Sequence, residues 1–233
     1  MPEQSFAAEL KEYLASHADE DANGEPLPSM NKLSKEMGVS LTKFREQLEV
    51  AKALGIVEVS PRTGIRLQPY SFLPAVRESL MYALAVDCWS HFEAFSELRN
   101  HVEEAFWFQA VEKLTARDHA ELGKLVESAW EKLKHHPIQI PHEEHRQLHM
   151  TIYRHLENPF VLGIIEAYWH AYESVGLNLY ADYDYVEEMW RYHEKMVVSI
   201  CAGEYEAGYD ALVAHRDMLF HHPKLLSERE PGK

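Results

Sequence analysis

His145 and His149 stand four residues apart in a stretch of helical periodicity from about Glu143 to Leu156, so their imidazoles leave one face of one helix. His193 falls in a second helical stretch, about Val186 to Cys201, and His215 in the last one. Three helices can bring four imidazoles to one point, and helical bundles build metal sites in this way. Neutral imidazole is the commonest biological metal ligand, and two from one rigid helix lower the cost of ordering the set. Spacing alone leaves the matter open. With fifteen histidines in the chain, a pair at i, i+4 arises readily by chance, and His135, His136, His155, His221 and His222 read as surface or helix-end residues.

A second chemistry, attraction to phosphates and base edges, lies between Leu27 and Leu67. Ser29 can cap a short helix through Met37, with Leu33 and Met37 on its inner face. Gly38 supplies a turn, and Ser40 caps a second helix to about Leu54, with Phe44, Leu48 and Ala51 as its buried stripe. The opposite face carries Thr42, Lys43 and Arg45 near the N-terminus, where a recognition helix meets DNA. Ile56–Val59 and Ile65–Leu67 read as two strands joined by a tip at Ser60–Gly64 that carries Arg62. Two helices and a basic hairpin at this spacing form a winged helix-turn-helix pattern. The expected DNA contacts are Lys32, Ser40, Thr42, Lys43, Arg45, Arg62 and Gly64.

Positioning these groups is the task of the rest of the chain. Its 233 residues can hold one large domain or two small ones, and a hydrophobic fraction of 46% suffices for a packed core. The linker falls near Gln68–Ser71, dividing a reader at 1–70 from a body at 71–233. An amphipathic helix from Ser5 to Ser16, with Phe6, Leu10 and Leu14 aligned, precedes a polar loop at 18–24. After Leu73 strand-like alternation is absent, and about seven helices are expected, with breaks near Cys88, Thr115, His136–Pro141, Asn158-Pro159, Asn178–Tyr183 and Ala202-Gly203. The fold class is therefore mainly α. The segment 105–111 is apolar all round a helix and is expected to be buried on more than one side, in the bundle centre or at a dimer face.

The net charge of −15 by itself opposes a nucleic-acid partner, but its distribution does not. From Leu27 to Leu67 there are seven Lys/Arg against four Glu, a local balance of +3, so the remainder carries −18. Phosphate attraction acts within about a Debye length, so a small cationic reader on an acidic body can bind DNA. No run is apolar enough to span a membrane, and the N-terminus lacks a secretory signal pattern. Cys88 and Cys201 give no disulfide framework and are expected to be reduced and half-buried, in a cytoplasmic protein.

Leu27-Pro28-Ser29, the run Gly38 to Leu48, Leu54-Gly55-Ile56-Val57 and Gly64 resemble the N-terminal domain of GntR-type bacterial repressors over residues 5–70. Arg45 matches one DNA-contacting arginine of that family. Leu41 and Asn31 stand where others are usual, so the resemblance implies a different operator or weaker binding. Glu144 to His149 followed by Asn158-Pro159 resembles the Asp-x-x-x-His…Asn-Pro segment of the FCD ligand domain, found in FadR-type members. The stretches around His193 and His215 resemble that domain's last two helices, each of which gives a histidine. The implied ligand set is His145, His149, His193 and His215. His145 occupies the family's aspartate position, unless it points away and Glu144 or water takes its place. An all-imidazole set leaves the ion's charge uncompensated, attracts anions and favours a divalent transition metal, zinc or nickel first, over magnesium or calcium.

Arg99 and Glu103 are one helical turn apart and read as a surface ion pair. The same residues resemble the FCD Arg-x-x-x-Glu, which implies an arginine that clamps a carboxylate effector beside the metal. Trp89, Trp107, Trp169, Tyr172 and Trp190 are expected in the core, with one or two lining the cavity. The implied function is that of a dimeric regulator whose affinity for double-stranded operator DNA is set by a small organic acid, and not of an enzyme. The other readings are a helical metalloenzyme using the four histidines and a sensor that has lost DNA binding.

Overall fold

The computed structural model describes residues 8–16, 26–177 and 183–216. Phe6, the loop at 18–24, residues 178–182 of the expected break, and His221 and His222 lie outside them. The described residues are mainly helical with one small two-stranded sheet, and the chain divides into two compact units, 1–79 and 80–233. No helix among the described residues is long and apolar enough to cross a membrane.

In the first unit, α1 (Ala8–Ser16), α2 (Met30–Glu36) and α3 (Leu41–Ala53) precede β1 (Val57–Ser60) and β2 (Gly64–Leu67). The strands pair antiparallel, Val57 opposite Leu67 and Ser60 opposite Gly64. Leu10, Leu14, Leu33, Phe44, Leu48, Val57 and Ile65 close one core. Gly38 turns between α2 and α3 at φ +65°, a conformation that a Cβ disfavours. Ser40 caps α3, its hydroxyl accepting from the Lys43 amide at 3.2 Å. Ser29, also expected to cap, makes no side-chain cap bond; its carbonyl instead accepts from the Lys32 and Leu33 amides. Gln47, inside α3, is buried because its carbonyl takes the Leu10 amide at 3.1 Å and ties α1 to α3.

From Leu73 onward the described residues form seven helices: α4 (Leu73–Val86), α5 (Cys88–Val111), α6 (Ala116–Lys134), α7 (His142–Tyr153), α8 (Pro159–Ser174), α9 (Tyr183–Ala202) and α10 (Tyr205–Arg216). Local chemistry sets their starts. Asp87 caps α5, Thr115 and Asp118 form a capping box on α6, and Asn158 caps α8 just before Pro159 at its first turn. Helix α5 packs on α7, α8 and α10, and α9 packs on α6 and α10, enclosing a core around Trp107, Leu122, Leu148, Ile165 and Trp190.

Within the single chain the segment 105–111 is buried on one face: Trp107, Ala110 and Val111 are buried, and Phe108 is 40% exposed with its ring stacked on Tyr209. That one-sided burial excludes the bundle centre and leaves the dimer face as the surviving expectation. Cys88 and Cys201 are both exposed rather than half-buried, because they fall at helix ends on outward positions.

Candidate functional site

Helix α7 opens after Pro141 with Glu143 and Glu144 in its first turn, where the helix dipole favours acids. The i, i+4 spacing then turns His145 and His149 inward together. His193 reaches the same point from α9 and His215 from the last turn of α10. All four are buried; His149 and His193 have no exposed surface at all. Ring centroids lie 4.5 Å apart for His145 and His193 and 4.3 Å for His193 and His215. His149 Nε2 is 3.1 Å from His193 Nε2. One nitrogen from each ring falls within 4.8 Å of all the others. That spread is comparable to the about 4 Å between opposite donors around one ion with metal–nitrogen bonds of about 2.0–2.1 Å.

Electrostatics suit these rings to a cation. Burial, followed by the neighbouring imidazoles, pushes His145 and His193 well below the usual histidine range, and burial does the same to His215. His149 is lowered by burial, against which Glu103 pulls upward. The rings are therefore neutral, with lone pairs free to coordinate. His145 Nε2 is a buried nitrogen with no hydrogen-bond partner among the described residues, as a ligand atom would be. Indoles wall the cluster, Trp169 against His145 at 4.7 Å and Trp190 against His193 at 4.9 Å. The residues thus fit a divalent transition metal.

Glu144, the alternative ligand, turns away: Ser128 donates to it at 2.9 Å and Lys132 at 2.8 Å. Arg99 is not a surface residue, being only 4% exposed. Its guanidinium pairs with Glu103 at 2.9 Å, lies 4.5 Å above the Tyr168 ring and donates to Asn100 at 3.1 Å. Its Nε has no hydrogen-bond partner among the described residues. A small cavity is lined by Arg99, His145, His215, Tyr168, Tyr172 and Tyr185, so the arginine and two of the histidines face one space. Trp107, Trp169 and Trp190 are fully buried and Tyr172 nearly so, whereas Trp89 is only half-buried. Glu103 is the functional group that sequence reasoning missed. It is fully buried and touches both Arg99 and His149; its sequence signals were the i, i+4 spacing to Arg99 and the resemblance to the FCD Arg-x-x-x-Glu, neither of which pointed to His149.

In the first unit Thr42, Arg45 and Arg62 are exposed, and among the described residues Arg45 and Arg62 have no acidic partner. Lys32 is exposed and loosely paired with Glu36 at 3.7 Å. Ser40 is used as a cap, and Gly64 opens β2 with φ +75°. Lys43, another expected DNA contact, is exposed and carries an ion pair. Its ammonium is held by Glu9 of α1, which also accepts from Gln47 at 2.8 Å. That Lys43 bond, with help from the Glu9 backbone and Gln47, holds the exposed Glu9 carboxyl down at about 2.

The FCD domain family matches residues 94–218, a span that holds all four histidines, Arg99 and Glu103. No curated protein matches the chain. Among solved structures the chain is similar to the GntR protein of Streptococcus agalactiae, with 17% identity, a TM-score of 0.63, and 93% of this chain and 97% of that one covered. McbR/YncC of E. coli is 19% identical, with 97% and 98% of the two chains covered and a TM-score of 0.48. The first of these likenesses is one of fold. More than half of the sequence falls within the matched family span, and the chain therefore belongs to the FCD domain family, with the fold of a GntR-type protein.

Proposed function

We propose that the chain is a transcriptional regulator in which a winged helix-turn-helix, residues 1–70, binds operator DNA, and a helical domain, residues 71–233, binds a metal ion and a small carboxylate effector. The observation that carries this reading is the cavity that His145 and His215 share with Arg99. His145, His149, His193 and His215 would hold a divalent transition metal, zinc or nickel. The bound ion supplies a positive charge and an acceptor site for an anionic oxygen. Arg99 offers a planar fork to the far end of such an anion, and the Trp169 indole packs against both Arg99 and His145. An effector that prefers one conformational state of the protein shifts DNA affinity by the free energy of that preference.

On the DNA side, α3 is the recognition helix, Thr42 and Arg45 its exposed contacts, and Arg62 the cation of the wing. Two such readers meet two half-sites, so the working form is a homodimer in the cytoplasm. Selection from random duplexes tests the reading. A two-fold symmetric site is expected, and Arg45→Ala should weaken its binding while flattening the salt slope by about one unit. Recovery of no enriched site would overturn the DNA reading. Metal-dependent turnover of a small ester without DNA binding would instead favour a metalloenzyme.

A further inference from the structure

Glu103 is a fully buried carboxylate whose two oxygens are treated unequally. Oε1 lies 3.1 Å from His149 Nδ1 and 2.9 Å from an Arg99 Nη. Oε2 has no hydrogen-bond partner among the described residues. One hydrogen-bond donor, His149, and one guanidinium charge thus meet at a single oxygen; the Arg99 contact is an ion pair, since that Nη has no hydrogen-bond partner among the described residues. An ionised carboxylate only accepts, so the proton of neutral His149 must sit on Nδ1. Nε2 then keeps its lone pair and faces His193 Nε2. The Tyr153 hydroxyl donates to the Glu103 carbonyl at 3.0 Å and helps fix this turn of α5 against α7.

We propose that Glu103 is a positioning residue that holds His149 as a metal ligand through the Nδ1–H tautomer, and that Arg99, by sharing the same oxygen, makes metal affinity depend on whether an anion occupies the cavity. The proposal rests on the reading of the four histidines as a metal site. Glu103 meets the histidine set through His149 Nδ1, and a carboxylate in that place raises the basicity of the ligand nitrogen across the ring. Arg99 works against it by drawing on the same oxygen. An anion that takes up the guanidinium leaves Oε1 to His149 alone and strengthens the ligand. By linkage, the metal then strengthens the hold on the anion by the same factor, even where the two do not touch.

The test uses full-length protein and zinc, with affinity read by chelator competition in the wild type, Glu103→Gln, Arg99→Gln and the double variant. Long-range ¹H–¹⁵N spectra of histidine rings in the metal-free wild type give the tautomer directly. Glu103→Gln is expected to weaken zinc binding about 10- to 100-fold. Arg99→Gln is expected to tighten it, and this gain should vanish when Glu103→Gln is also present. The His149 proton should be found on Nδ1. Wild-type zinc affinity in Glu103→Gln, equal effects of Arg99→Gln in both backgrounds, or a proton on His149 Nε2 would each overturn the proposal. Failure of the wild type to bind zinc would overturn the metal reading instead, and the ring spectra still judge the role of Glu103. Should Glu103→Gln lose helicity, Glu103→Asp, which keeps the charge at a shorter reach, is measured in its place. Its zinc affinity should then fall between wild type and the His149→Ala variant, and wild-type affinity would again overturn the proposal.

Discussion

His145 sets the character of the centre, because it puts a neutral ring where the resembling FCD segment carries an aspartate. Its Nε2 is buried without a partner, and its ring is held between Trp169 and His193. Under the proposed metal-and-effector reading, an imidazole here would leave the charge of a bound ion for the effector to balance. His145→Asp should therefore keep the metal, as measured by elemental analysis, while capturing an anionic ligand less tightly in titration calorimetry. His149→Ala combined with His193→Ala should lose it, and full metal content in that double variant would sink the ligand set. The histidines were legible from spacing and resemblance together, because one helical turn dictates their common face. Arg99 was legible only as two alternatives. A guanidinium and a carboxylate at i, i+4 look the same in sequence whether exposed or buried, and only packing against Tyr168 and Trp169 decides.

At the scale of elements, the close packing of α10 against α5 gives the bundle its tolerance limits. Gly208 lies in α10 where an added Cβ would come within 2.8 Å of Trp107 Cζ2. That indole is fully buried, and its Nε1 donates to the Tyr205 carbonyl at 3.0 Å, so it has little room to yield. Alanine improves helix propensity by about 0.5–1 kcal/mol, while overpacking costs about 1–3 kcal/mol. Gly208→Ala should on balance lower stability by about 1 kcal/mol in thermal or urea melts. An unchanged or raised midpoint would show that α10 can shift away from α5. The helices themselves were readable because their breakers and caps are local: Asp87, Thr115, Asn158-Pro159 and Gly203 lie at or beside the observed ends. Of the two places expected for the apolar run in α5, the bundle centre is excluded, since an apolar run does not reveal how many neighbours it meets within its own chain. The pairing of Lys43 with Glu9 was hidden for a related reason, because Glu9 lies 34 positions away.

Across the whole molecule, four neutral imidazoles make folding sensitive to mild acid. Their pKa values are lowered in the folded state, His145, His193 and His215 well below the ordinary value of 6.5. Below that value the unfolded chain binds protons that the folded centre refuses, so stability falls as pH drops. The slope approaches about 1.4 kcal/mol per pH unit for each such imidazole. The carboxyls of Glu103 and Glu144 are lowered below 4.5, so their contribution is lost only in stronger acid. Metal-free protein should thus lose urea resistance between pH 6.5 and 5, and replacing His145 and His193 together by Phe should reduce that loss. A flat profile over this range would mean that the centre opens to water.

Sequence by itself determined the order of the elements, the fold of the hairpin unit and the helical bundle, and the identity of the four histidines. These follow from periodicity, capping and turn chemistry, all of which act over a few residues. Only the tertiary structure decided that Arg99 and Glu103 form a buried pair beside His149, that Glu144 faces Lys132, and that Lys43 is claimed by Glu9. These outcomes depend on which charged groups share a low-dielectric interior or a single oxygen atom. Such partners come together across tens of residues, where no local pattern constrains them.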